Sequence, residues 1–375
     1  MNADINLGVI GFGGFGLFAV QHFVQIPGVR LVAMAGTHRP AAYAAAQRFG
    51  IPDIEKVESL VERDDVDMVY IATPPFLHHP QAMLALSAGK HVICEKPLAL
   101  TVEQADEMIA VARARDLLVV ANLMQRYNPL FGAVRRLIES KVLGEPLHAF
   151  FENYATDEGL PPDHWFWDRT KSGGIFVEHG VHFFDLFEGW FGAGRVMAAQ
   201  AVQRPETEIE DQVNCTVQYG PAVLASFYHG FTQPGRMDRQ EMRILFERGD
   251  VSLFEWVPTR VRIHAVVDEA QTRALCELFP QARLDISTTY APKDRACHGR
   301  HKAWDVYQMI DLSFGDGTIK MHRYGEMLRA MFLDQASYIR DRAHVRTITE
   351  ENSRSSVAMA VDADRLAHEA APGIL

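Results

Sequence analysis

Four cysteines in 375 residues, Cys94, Cys215, Cys276 and Cys297, are few and scattered, and no CxxC occurs among them. That scarcity argues against a disulfide framework and against a cysteine-held zinc, and it fits a reducing compartment. Positive charge is also in short supply: 37 Lys and Arg stand against 48 Asp and Glu, a net charge of −11. A broad phosphate-binding surface is thereby disfavoured, and nucleic acid is a poor partner, although a local basic cluster can still hold a small anionic cofactor. No uncharged apolar run of membrane-spanning length is free of crowding by glycine, so no membrane span is read. Met1 to Asn6 lack a basic stretch leading into an apolar one, so no signal peptide is read and the cytoplasm is the expected location. Internal repeats and Gly/Ser linkers are missing as well.

What is present is an ordinary globular composition, 48% hydrophobic and 23% charged, in a chain longer than one typical core supports. Two domains are expected. The first third alternates strands at Ile5–Ile10, Arg30–Ala35, Asp67–Ala72, His91–Cys94 and Leu117–Ala121 with helices at Phe15–Gln25, Ala41–Phe49, Pro80–Ala88 and Val102–Arg115. Continuously apolar strands alternating with helices predict a doubly wound parallel sheet. The rhythm changes near Arg126: a helix at Pro129–Ser140, a strand at Pro146–Tyr154, a helix at Glu178–Phe191, then successive strands between Val196 and Ile263. Strand after strand predicts a large mixed or antiparallel sheet in an α+β domain. Asp316-Gly317 reads as a hairpin turn, and Tyr324–Arg340 and Glu350–His368 as helices. The expected domains are 1–124 and 125–375, packed together.

Gly11, Gly13 and Gly16 form G-x-G-x-x-G between the first strand and the first helix, the context in which this pattern binds a dinucleotide. Contacts to such a cofactor are expected from Gly11, Phe12, Gly13, Gly14, Phe15 and Gly16. An acid at the end of the second strand would mark NAD; Gly36 stands there instead, followed by Thr37, His38 and Arg39. A hydroxyl and a guanidinium beside a missing acid suit a 2′-phosphate, so NADP is favoured, with NAD the open alternative.

Further cofactor contacts are expected at the carboxyl edge of the sheet, from Thr73, Pro74 and His78 after the third strand and Glu95 and Lys96 after the fourth. Glu178 and His182, four apart, share a helix face. The segments GVIGFGGFG, TPPFLHH, AGKHVICEKPLA, MQRYNP, GGIFVEHGVHFFDL and EMRILFERGDV resemble the glucose–fructose oxidoreductase, inositol dehydrogenase and MocA family over almost the whole chain. That resemblance implies an NAD(P)-binding Rossmann domain and hydride transfer, between the domains, at a carbinol carbon of a sugar, cyclitol or related polyol. It implies that Lys96 hydrogen-bonds the reacting oxygen, that His182 exchanges its proton, and that Glu178 orients the imidazole. It also implies a cis Lys96–Pro97 peptide. The family more often has Asp where this chain has Glu178. The chemistry agrees: a histidine can take the hydroxyl proton and an ammonium can steady the developing charge.

Arg126, Tyr127, His164, Trp165, Arg169 and His179 are candidates to meet the substrate, with packing roles equally open for the aromatics. No metal is expected, because Glu178, His179, His182 and His164 form no H-E-x-x-H pattern. A homodimer or homotetramer is expected, since a large sheet must cover its outer face. Two other functions stay open at this point: a redox-neutral enzyme of the same fold that oxidises a sugar transiently, as in elimination or glycoside cleavage, and a non-catalytic ligand sensor.

Overall fold

The computed structural model describes residues 4–36, 39–54, 56–207, 209–315 and 317–369. Its first elements are β1 (Ile5–Ile10), α1 (Gly14–Phe23), β2 (Val29–Ala35), α2 (Arg39–Phe49), β3 (Asp53–Ile54), α3 (Val57–Val61), β4 (Met68–Ile71), α4 (His78–Ser87), β5 (His91–Cys94), α5 (Val102–Ala114) and β6 (Val119–Ala121). The strands pair parallel in the order β3-β2-β1-β4-β5-β6, the order of doubly wound dinucleotide-binding sheets. Every residue of β4 and β6 is buried, which is why these strands read as unbroken apolar runs. The pattern predicted five strands. The sixth, β3, pairs only Asp53 and Ile54 with Met34 and Ala35 and is too short to leave a periodic signal.

The glycine loop closes tightly on this sheet. Gly11 sits at φ +100, and a Cβ there would stand 2.7 Å from the carbonyl group of Ala72. A Cβ on Gly16 would run into the Gly11 carbonyl oxygen, so only glycine lets α1 rise this close to the loop.

The rest of the chain forms α6 (Pro129–Ser140), β7 (Pro146–Tyr154), α7 (Arg169–Ser172), a π-helical turn at Phe176–Gly180 running into α8 (Val181–Phe191), and then β8 (Gly194–Gln203), β9 (Glu210–Tyr219), β10 (Val223–Gly230), β11 (Arg239–Phe246), β12 (Gly249–Phe254) and β13 (Arg260–Val267). After them come α9 (Glu269–Leu278), β14 (Arg283–Thr289), β15 (Ala296–Gly299), β16 (Lys302–Asp305), β17 (Gln308–Gly315), α10 (Lys320–Arg340) and α11 (Glu350–Glu369). Nine strands form one sheet in the order β14-β17-β13-β12-β11-β7-β10-β9-β8; β7 and β10 pair parallel and all other neighbours antiparallel. This is the mixed sheet the sequence predicts.

One face of that sheet is buried with a period of two: Val213, Cys215 and Val217 on β9, Ala225 and Phe227 on β10, Met242 and Ile244 on β11. Phe187 of α8 lies 4.7 Å from Phe227 between ring centroids, and Phe131 of α6 stacks on Trp190. Asn128 caps α6 by accepting from the Leu130 N–H, Pro129 follows at the first helical position, and Lys141 ends the helix at a left-handed φ of 55.

The expected hairpin turn at Asp316-Gly317 falls on Asp316, outside the described residues; among the described residues β17 ends at Gly315 and the next element is α10 from Lys320. By compactness the chain divides into two discontinuous units. One comprises Met1–Tyr127, Pro161–Asp185 and Tyr324–Arg365; the other comprises Asn128–Leu160, Leu186–Arg323 and the piece from Leu366 onward. No described helix is long and apolar enough to cross a membrane.

Gly16→Ala is expected to destabilise the protein by roughly 1–3 kcal/mol through overpacking against the Gly11 carbonyl. Chemical denaturation measures this, and a variant that unfolds at the parent's denaturant midpoint contradicts the close approach of α1.

Candidate active site

The loop between β1 and α1 has the shape a dinucleotide needs. Cβ atoms on Gly13 or Gly14 would meet nothing within 4 Å, in contrast to the crowded Gly11 and Gly16. Gly13 is the N-cap of α1 in extended conformation, and the first turn of the helix carries no acidic residue. Open backbone N–H groups at a helix start, with no carboxylate to repel a phosphate, are the donor set for a pyrophosphate. These residues fit the group. Phe12 is buried, and Phe15 packs on Phe18 and Tyr324 at centroid distances of 6.1 and 5.7 Å.

Lys96 follows β5 at the carboxyl edge of the parallel sheet, and its peptide to Pro97 is cis, as the resemblance implies. Its Nζ donates to the Glu178 backbone carbonyl at 2.8 Å and to Glu178 Oε1 at 2.5 Å. The pair is largely buried, with 19% of the lysine side chain and 11% of the glutamate side chain exposed. An ammonium has three N–H donors, so one remains for a ligand oxygen.

Lys96 is thus a partner of Glu178 that the sequence reading does not name. The π-helical turn at Phe176–Gly180 carries its carboxylate to Lys96, which thus holds both a carbonyl and a carboxylate of one residue. His182 is buried on α8 at 2% exposure. Burial first, and the Lys96 charge second, hold its imidazole well below the usual histidine pKa. An acid neighbour alone would push that pKa up, and the direction here is the opposite.

A second buried cluster stands directly beside Lys96. Glu95 accepts hydrogen bonds from the Tyr70 hydroxyl and from Asn122 Nδ2, and burial raises its pKa. Tyr324, at the start of α10, packs on Phe15 and Phe18; burial, then the carboxylates of Glu95 and Glu178, push its phenol pKa well up. Tyr70, Asn122 and Tyr324 escaped the sequence reading. Only tertiary structure gathers them near Glu95, and none lies in a motif.

Several of the expected ligand contacts have partners within the fold. The Arg126 guanidinium binds the Asp185 carboxylate and carbonyl at 2.7 to 2.9 Å, the Tyr127 hydroxyl donates to Asp334 at 2.6 Å, and Arg169 pairs with Asp364 at 2.5 Å. The Glu95 carboxylate points into its own buried cluster, and Thr73 Oγ1 donates to Gln81. His78 is fully buried between two backbone carbonyls, of Thr73 and Pro97, and burial lowers its pKa. Physically these side chains satisfy buried or partly buried partners that the linear pattern cannot reveal.

Pro74 begins the short 3-10 turn Pro75–Leu77. His164 and Trp165 pack on one another at 5.1 Å, half-buried, and His179 lies beside Phe183. Arg39 opens α2, while Thr37 and His38 lie outside the described residues.

Comparison with known proteins places this arrangement. Residues 5–123 match the family model described as an oxidoreductase family with an NAD-binding Rossmann fold, and residues 131–252 match the GFO/IDH/MocA C-terminal domain. The 1,5-anhydro-D-fructose reductase of Ensifer adhaerens is 33% identical over 60% of this chain and 69% of its own length. Among solved structures, levoglucosan dehydrogenase in complex with NADH and levoglucosan superposes with a TM-score of 0.77 at 19% identity, covering 98% of each chain. Biliverdin reductase of Synechocystis sp. PCC 6803, in complex with biliverdin and NADP+, superposes with a TM-score of 0.71 at 17% identity over 96% of this chain and 98% of that one. The two structural likenesses show the fold, while the matched models and the reductase show descent: the chain belongs to the GFO/IDH/MocA family of NAD(P)-binding oxidoreductases.

Proposed function

We propose that this protein transfers a hydride between a nicotinamide dinucleotide and a carbinol or carbonyl carbon of a sugar, cyclitol or related polyol. The observation that carries the reading is the Lys96 ammonium, held by two oxygens of Glu178 at the edge of a dinucleotide-binding sheet with one N–H left over. The glycine loop would hold the dinucleotide, and the nicotinamide, when bound, supplies the carbon that accepts or gives the hydride. Residues 1–124 then serve as the cofactor domain and 125–375 as the substrate-binding and oligomerisation domain.

Lys96 donates its remaining N–H to the substrate oxygen and stabilises the negative charge that grows there during oxidation. Glu178 fixes the direction of that donor. His182 removes the hydroxyl proton in oxidation and returns it in reduction. Its lowered pKa keeps the ring neutral around pH 7, the form that accepts a proton.

NADP(H) is the preferred cofactor in this reading, because Gly36 leaves no acid at the end of β2 to repel a 2′-phosphate. The outward face of the nine-stranded sheet exposes Leu224 and Leu245, which supports a homodimer or homotetramer assembled there, acting in the cytoplasm.

Calorimetric titration of Lys96→Ala is expected to return the parent's affinity for the dinucleotide, with NADP(H) bound more tightly than NAD(H). In the same variant kcat falls by roughly 10²-fold or more. Parent-like turnover removes Lys96 from the chemistry, and tighter NAD(H) binding reverses the cofactor choice.

The pH profile tests His182. Because its folded-state pKa is depressed, the base form persists as pH falls past the usual histidine value of about 6.5. In the oxidation direction kcat/KM is therefore expected to stay level through that value and to decline only at lower pH, and His182→Asn should remove most of the activity together with that decline. An acidic limb centred at or above the usual value, lost in His182→Asn, contradicts the neutral buried imidazole.

A further inference from the structure

We propose that His78 is a positioning residue for Lys96: a buried strut that ties the backbone just beyond the lysine to the loop after β4. The proposal rests on the role of Lys96 argued above. His78 is the first residue of α4 and has no solvent exposure. One ring nitrogen lies 2.7 Å from the Pro97 carbonyl oxygen and the other 2.7 Å from the Thr73 carbonyl oxygen. Whichever tautomer the ring holds, at least one of these contacts is a donated N–H, because both partners only accept.

The two carbonyls belong to the two segments that must keep register for hydride transfer. Thr73 adjoins the glycine loop so closely that a Cβ on Gly11 would stand 2.9 Å from the Thr73 nitrogen. Pro97 is bonded to Lys96 itself, and its nitrogen carries no hydrogen with which to anchor the peptide. On the other side of the lysine the backbone is already secured: the Glu95 N–H donates to Ile71 in the sheet, and the Glu95 carboxylate accepts from Tyr70 and Asn122. The carbonyl beyond the lysine lies 2.7 Å from His78 Nδ1, and the strut requires the tautomer in which that nitrogen carries the proton. Without that hold, the peptide that aims the Lys96 side chain toward Glu178 loses a restraint close to the reacting atoms.

His78→Met and His78→Gln test the strut, since the two side chains are of similar length and only glutamine has N–H donors. Both are compared with the parent on a polyol that the parent oxidises. His78→Met is expected to lose kcat by roughly 10- to 100-fold, the scale of a small misplacement near the chemistry, while dinucleotide affinity and KM change by less than about threefold. His78→Gln should recover most of that loss. On a Lys96→Ala background, His78→Met should lower the residual kcat by no more than about twofold, because a strut that acts through the lysine has nothing left to position.

Equal losses in the Met and Gln variants overturn the proposal, and so does a loss that repeats in full on the Lys96→Ala background. If His78→Met does not fold, His78→Gln carries the test: kcat within about tenfold of the parent, with no added loss beside Lys96→Ala, supports the strut, and a larger loss overturns it. Parent-like kcat in His78→Met with an inactive Lys96→Ala refutes the strut alone. Parent-like kcat in Lys96→Ala refutes the reading on which it rests.

Discussion

The site depends on one ammonium group. Lys96 Nζ is held at once by the carbonyl and the carboxylate of Glu178, in a setting where both side chains are mostly withdrawn from water. In water a lysine of this kind would sample many rotamers and its pairing would be worth little. Here the partner is doubled and the surroundings are dry, so the remaining N–H points in one direction. The same charge acts on the neighbouring imidazole: together with burial it keeps His182 neutral. In the proposed mechanism this one cation offers the substrate oxygen a hydrogen bond and adds to burial in holding the imidazole pKa down.

The scaffold explains why this cation stands where it does. Parallel strands deliver their carboxyl ends to one edge, and β4 and β5 end there with Thr73 and Lys96 close behind. The glycine loop reaches the same edge because Gly11 and Gly16 have no side chain to hold it away from Ala72 and Thr73. Glu178 arrives from a part of the chain 82 residues later, on a π-helical turn that interrupts the approach to α8. π-helical turns are uncommon and occur often at functional sites, since they redirect a side chain that a regular helix would aim elsewhere.

Much of this was legible in the sequence where the cause is local. The three glycines, the continuously apolar strands and the period-two strands of the large sheet state their constraints within a few residues of themselves. Lys96 stood out because it follows a parallel strand at the sheet edge where open α/β folds bind ligands, inside a block that carries the family resemblance. The partner of Glu178 was not, because an α-helical and a π-helical reading share the same composition. Arg126, Tyr127 and Arg169 looked available for a ligand for a similar reason. Their partners lie 59, 207 and 195 residues away, beyond anything a local pattern can reveal. Between Val266 and His322 one signal was present and missed: Asp268 and Gln271 form a capping box that announces α9.

The most direct test of the account is a crystal structure of the protein with an oxidised nicotinamide dinucleotide and a polyol that it turns over. The reacting hydroxyl oxygen is expected within hydrogen-bond distance, about 2.6–3.2 Å, of both Lys96 Nζ and a ring nitrogen of His182, with the lysine still bound to Glu178. A polyol whose reacting hydroxyl is held by other side chains, with Lys96 and His182 both out of reach, would contradict it.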